Sequence, residues 1–190
     1  MDNFDQFKVK NIAHNPSSWP LAIRYGLIWS AIGFALTLIL FIANMDPSLP
    51  TTSTLIKTVF SLVGFGIAIW AITTVISKIR SEQGGFIEYG KCITLGLKTG
   101  LIASVVSAFL NLFYTQFINT EYAENMMEAM RTDMENRGQT EDQIEQAIKI
   151  SSMFTGPVPT LIFVIIFTMI FTLIISLIVG AIMKKSPYPQ

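Results

Sequence analysis

The chain has 190 residues, is 51% hydrophobic and only 14% charged, and balances 13 basic against 13 acidic residues. That balance leaves no overall field to recruit nucleic acid or acidic substrates. The lone Cys92 excludes an intrachain disulfide, and the length suits one domain.

The chain opens with a tail over 1–19 in which Phe4, Phe7, Val9 and Ile12 alternate with polar residues. Such a segment is either an amphipathic foot on a membrane surface or a disordered, partner-binding arm. A membrane domain is expected over 20–185. Its first uncharged stretch lies between Arg24 and Asp46 and predicts a membrane-spanning helix over about 22–44. The stretch exceeds the ~7–15 residues of a signal-peptide core, and its exit, FIANMDPSLP, holds no A-x-A-like cleavage site. It is read as a retained first span.

A short Pro/Ser/Thr loop follows, in which Ser53 or Thr54 suits the N-cap of a second span over about 56–78. The next loop is basic and carries the breaker pair Gly84-Gly85. Phe86, Ile87 and Tyr89 then suit an elbow at headgroup level. A third span is expected over about 92–118.

The segment 120–154 is the one substantial extramembrane part. Tyr122, Met126, Met130 and Met134 recur every four residues and mark one helix face. Gly138 suits the position after the helix end, and Thr140 to Gln143 reads as a capping box. A helical hairpin follows. A fourth span over about 158–183 has 26 uncharged residues between Pro157 and Lys184 and enters through prolines, which a first helical turn tolerates. A short tail, 186–190, closes the chain. The fold class is thus all-α: a four-helix transmembrane bundle with an extramembrane helical hairpin between the third and fourth spans. Backbone groups in lipid must be satisfied within their own segment, which leaves helices as the form of these spans.

An even number of spans puts both termini on one side. That side carries Lys8, Lys10, Arg24, Lys78, Arg80, Lys91, Lys98, Lys184 and Lys185; the other carries Lys57, Arg131, Arg137 and Lys149. The excess of basic residues places both termini in the cytoplasm.

Small residues at four-residue spacing mark the third span: Gly96, Gly100, Ser104 and Ala108, with Asn111 beyond. The fourth has Thr168, Thr172, Ser176 and Gly180. Such ladders let helix backbones approach where lipid removes the hydrophobic drive, so these are expected packing faces; a polar pathway is the alternative. Lys98 lies nearest a span interior and, with Arg80 and Lys91, is a candidate contact for anionic lipid. No carboxylate lies inside an expected span, which argues against a proton-coupled pump.

His14 and Cys92 lack ligand spacing, and the methionine cluster has no His or Cys beside it, so no metal, cofactor or catalytic residue is expected. Neither a phosphate-binding glycine loop nor an internal repeat of the inverted-transporter kind is present.

The run from Gly84 through Phe86, Ile87, Tyr89, Gly90 and Lys91 into the glycines of the third span, then the methionine-rich hairpin and a proline-led last span, resembles a bacterial family. That family, domain of unknown function 4199, is widespread in Bacteroidetes, and the likeness covers about 20–185. It implies a bacterial inner-membrane location and an outward-facing hairpin, and carries no activity. The expected function is that of a non-enzymatic accessory or structural subunit, assembling with itself or with another membrane protein among membrane lipids. The alternative is a small transporter or channel component for a lipid or lipid-linked sugar.

Overall fold

The computed structural model describes residues 18–46, 52–154 and 156–185. The N-terminal foot and His14 lie outside the described residues, as do the last five. The described chain is all-α, and four of its helices are long and apolar enough to cross a membrane. In chain order they are α1 (Trp19–Ile42), α2 (Thr54–Glu82), α3 (Tyr89–Phe113) and α6 (Pro157–Met183), with α4 (Tyr122–Asn136) and α5 (Glu141–Phe154) forming the hairpin. A π-helical turn, Tyr114–Ile118, extends α3. At a 1.5 Å rise even α1 reaches about 36 Å, beyond the ~30 Å hydrocarbon core.

Boundaries follow local chemistry. Ser53 caps α2, its Oγ accepting from the Ile56 N–H at 3.4 Å. The helix continues through Lys78 and Arg80 to Glu82, further than the apolar stretch alone predicts, because charge does not end a helix. Gly84 and Gly85 do end it, with φ of 73° and 92° in the region open to glycine. At the far end of α4, Gly138 at φ 73° sits one place past the cap. Its N–H donates to the Glu135 carbonyl and that of Gln139 to the Met134 carbonyl, the paired bonds of a Schellman closure. Gln143 then reaches back with Oε1 to the Thr140 N–H at 3.1 Å, one half of a capping box.

The chain divides into two compact units, and each long helix contributes residues to both. The first comprises the start of α1, the end of α2, the start of α3 and the end of α6. Its core is centred on α2, where Ala68, Ala71, Ile72, Val75, Ile76 and Ile79 are all fully buried. Tyr25, Leu95, Ile175 and Val179 close around them. Ile87 is buried here too, at 3% exposure. Its N–H and C=O pair with those of Lys185 at 3.0 Å each, which ties the α2–α3 loop to the residues just after α6.

The second unit comprises the end of α1, the start of α2, the end of α3 with its π turn, the hairpin and the start of α6. Ile144 is buried at 1% exposure and anchors α5. The Ser151 hydroxyl donates to the Met130 sulfur at 3.2 Å, and an exposed Arg131–Glu141 ion pair at 2.7 Å crosses the hairpin.

Candidate functional site

The close approach of α3 and α6 is built from the smallest side chains on each. A Cβ on Gly96 would stand 2.8 Å from the Ser176 Cβ, and one on Gly100 would stand 2.7 Å from the Thr172 Cβ. Gly180 in turn faces Cys92 and Tyr89, at 3.2 and 3.3 Å from a notional Cβ. Each step of four up α3 is matched by a step of four down α6, so the helices run antiparallel in one register. The α6 hydroxyls are spent on their own helix: Ser176 donates to the Thr172 carbonyl at 2.6 Å and Thr172 to that of Thr168 at 2.7 Å. Bonded this way, a hydroxyl offers little polarity to its neighbour. Along this face the two backbones meet in a close packing seam. Further along α3, Ser104 and Ala108 are buried and Asn111 is half-buried. A third close approach had no advance signal: Gly26 of α1 lies against Ile102 and the Thr99 carbonyl, with 2.8 and 2.9 Å to a notional Cβ.

The basic residues at this end hold protein groups. Lys98 Nζ donates to Ser18 Oγ at 2.9 Å and lies 5.0 Å from the Trp19 ring centre, pinning the start of α1 to α3. Arg80 Nε donates to the Gly85 carbonyl at 2.9 Å and closes the glycine turn. Lys78 lies over Tyr25, Lys184 over Tyr89 and Lys185 over Phe86, each within 6 Å of the ring centre. Lys91 is half-buried in the first turn of α3. Four lysines of the first unit thus sit on aromatic rings.

In the second unit a buried polar cluster joins the end of α1 to the π turn. Asp46 is 2% exposed, Tyr114 3% and Asn119 6%. The Tyr114 hydroxyl donates to Asp46 Oδ2, and Asn119 Nδ2 lies 3.0 Å from the same oxygen and 3.2 Å from the Tyr114 oxygen. Phe41 packs edge-on to the Tyr114 ring at 5.6 Å. Thr52 donates to the Asp46 carbonyl. The π turn re-aims Tyr114 and Asn119, which lie five residues apart; the Asn119 N–H bonds the Tyr114 carbonyl at 2.8 Å. Sequence reasoning missed this cluster because its carboxylate lies 68 residues from its hydroxyl. Nearby Tyr122 has its phenol pushed up, first by burial and then by the Asp46 charge.

Among the described residues no three His, Cys, Asp or Glu side chains gather as a metal would need. No buried side-chain polar atom there lacks a hydrogen-bond partner. The buried polar side chains there bind one another or the backbone.

The profile of the family described as protein of unknown function (DUF4199) matches residues 24–185. The chain belongs to that family. The match takes in all of α2 through α6 and most of α1, so both the packing seam and the polar cluster fall inside the family region. No curated protein and no solved structure matches the chain. The multi-pass membrane character comes from the four long apolar helices, and the family's description assigns no activity.

Proposed function

We propose that this family member is a non-enzymatic accessory subunit of a bacterial inner membrane, with both termini cytoplasmic, that assembles with itself or with another membrane protein. One observation carries the reading. Among the described residues, Gly33 on α1 and Gly64 and Gly66 on α2 have no atom within 4 Å of a notional Cβ, whereas Gly26, Gly96 and Gly100 are tightly covered. Glycine costs a helix up to about 1 kcal/mol relative to alanine. In membranes small residues repay that by letting another helix approach. The uncovered glycines are available to a helix from outside the chain.

The lipid-transport alternative draws less support. Two of its three basic residues, Arg80 and Lys98, hold protein groups, and the α6 hydroxyls bond their own backbone. The cytoplasmic orientation rests on the basic excess at the end where Lys78, Arg80, Lys91, Lys98, Lys184 and Lys185 gather.

Native mass spectrometry and crosslinking in lipid nanodiscs test the proposal. The expected result is an oligomer or a co-purifying membrane partner, lost on Gly64→Leu or Gly66→Leu while thermal stability is kept. A strictly monomeric protein without a partner overturns it.

A further inference from the structure

A cleft of about 640 Å³ lies in the second unit, between the hairpin and the first turns of α2 and α6. That volume falls in the ~300–1,000 Å³ range of small-ligand sites. Met126, Met127 and Met130 of α4, Phe154 of α5, Phe163 of α6 and Lys57 of α2 line it, and the Phe154 and Phe163 rings meet edge-on at 5.9 Å. The methionines are unbranched and adaptable, and methionine-rich surfaces accept flexible apolar partners. Phe163 lies on a helix apolar enough to span, whereas the α4 methionines belong to the extramembrane hairpin. The cleft therefore bridges the bilayer boundary.

Lys57 is the charge in this lining. It stands in the first turn of α2, is half-buried, and makes no ion pair among the described residues. No hairpin carboxylate among the described residues forms an ion pair with it; Glu141 pairs with Arg131 and Asp133 with Arg137. A half-buried ammonium at the rim of an apolar cleft is complementary to an amphiphile with one negative group beside a hydrocarbon chain.

We infer that the cleft binds a membrane phospholipid, an acyl chain lying between the methionines and Phe163 and the phosphodiester meeting Lys57. The site shares no residue with the lysines that sit on rings or with Arg80. It also does not depend on assembly, since every lining residue belongs to one chain. The occupant is a lipid rather than a free phosphate because the greater part of the lining is apolar.

The test compares binding of phosphatidylglycerol, phosphatidylethanolamine and diacylglycerol to the purified full chain by native mass spectrometry. A photoactivatable phospholipid maps the contact. Both phospholipids are expected to bind at least five-fold better than diacylglycerol. Lys57→Gln should abolish that preference while Lys149→Gln keeps it, and the photo-label should fall on the Met126–Met130 peptide. Met130→Trp, which fills the cleft, should displace the label while leaving the melting temperature within a few degrees. Equal binding of diacylglycerol, an unchanged preference in Lys57→Gln, or a label confined to the outer faces of the spans would each overturn the proposal. So would capture of an apolar helix from a second copy in place of lipid.

Discussion

Gly96 and Ser176 meet across α3 and α6 with no room for a methyl group between them. One helical turn on, Gly100 and Thr172 repeat the contact, so the seam depends on glycine at two successive positions of one helix. Side chains there would push apart two backbones whose approach supplies the packing energy.

Gly96→Ala should therefore lower stability by about 1–3 kcal/mol, the usual cost of overpacking a filled interior. The partner change Ser176→Gly should restore most of it, because the clash is with the Ser176 side chain, its Oγ first and then its Cβ. Gly33→Ala faces open space and should be neutral or slightly stabilising. Thermal unfolding of Gly96→Ala, the Gly96→Ala/Ser176→Gly pair and Gly33→Ala in nanodiscs checks the set. Equal losses for Gly33→Ala and Gly96→Ala would mean that helix propensity, not the seam, is being measured.

Lys98→Met should loosen the start of α1. It removes the bond to Ser18 and the contact with the Trp19 ring, together worth about 1–2 kcal/mol at a half-buried site. Limited proteolysis near Ser18 should accelerate, in neutral detergent as much as in anionic lipid. A loss seen only with anionic lipid would instead assign Lys98 to a headgroup.

The Asp46 cluster should respond to chemistry more than to size. Asp46→Ala leaves the Tyr114 hydroxyl buried without its acceptor, at a cost of about 1–3 kcal/mol, and takes one of the two acceptors of the Asn119 amide. Asp46→Asn keeps an acceptor for Tyr114 and should cost less. Chemical denaturation that ranks Asn below Ala in damage supports the clasp; equal damage would point to the carboxylate charge itself.

How much of this was legible in advance depends on distance along the chain. The spans and the hairpin are written locally, in uncharged runs, a four-residue methionine period, and glycines placed where a helix must stop. The α3 and α6 ladders announce which faces are small, because the spacing repeats within each helix. Their register does not show in sequence, since nothing local says that Gly96 meets Ser176 rather than Thr172. Gly26 escaped notice as a single glycine without a period. The Ile87–Lys185 pairing and the Asp46 cluster escaped because their partners are far apart in the chain. Lys98 was found by its depth, but its partners, Ser18 and Trp19, depend on where α1 begins.

Tyr122 supplies a spectroscopic test of the fold around the cluster. Its phenol is raised above the ordinary tyrosine pKa of ~10, first by burial and then by the negative charge of Asp46. Alkaline titration of the tyrosinate absorbance should show a late-ionising component that disappears from the wild-type minus Tyr122→Phe difference only if Tyr122 is exposed. Asp46→Asn should bring the transition down part of the way but leave it above ~10, because burial is the larger cause. The linkage has a fixed sign. Well below the ordinary pKa the phenol is protonated in both folded and unfolded chains and contributes nothing. As pH rises past it, the unfolded chain releases the proton first, so stability falls with increasing pH until the folded phenol ionises too. Wild-type protein should thus lose more stability than Tyr122→Phe above that point. A variant equally sensitive to alkali would show that Tyr122 is solvated and that α4 does not pack as described.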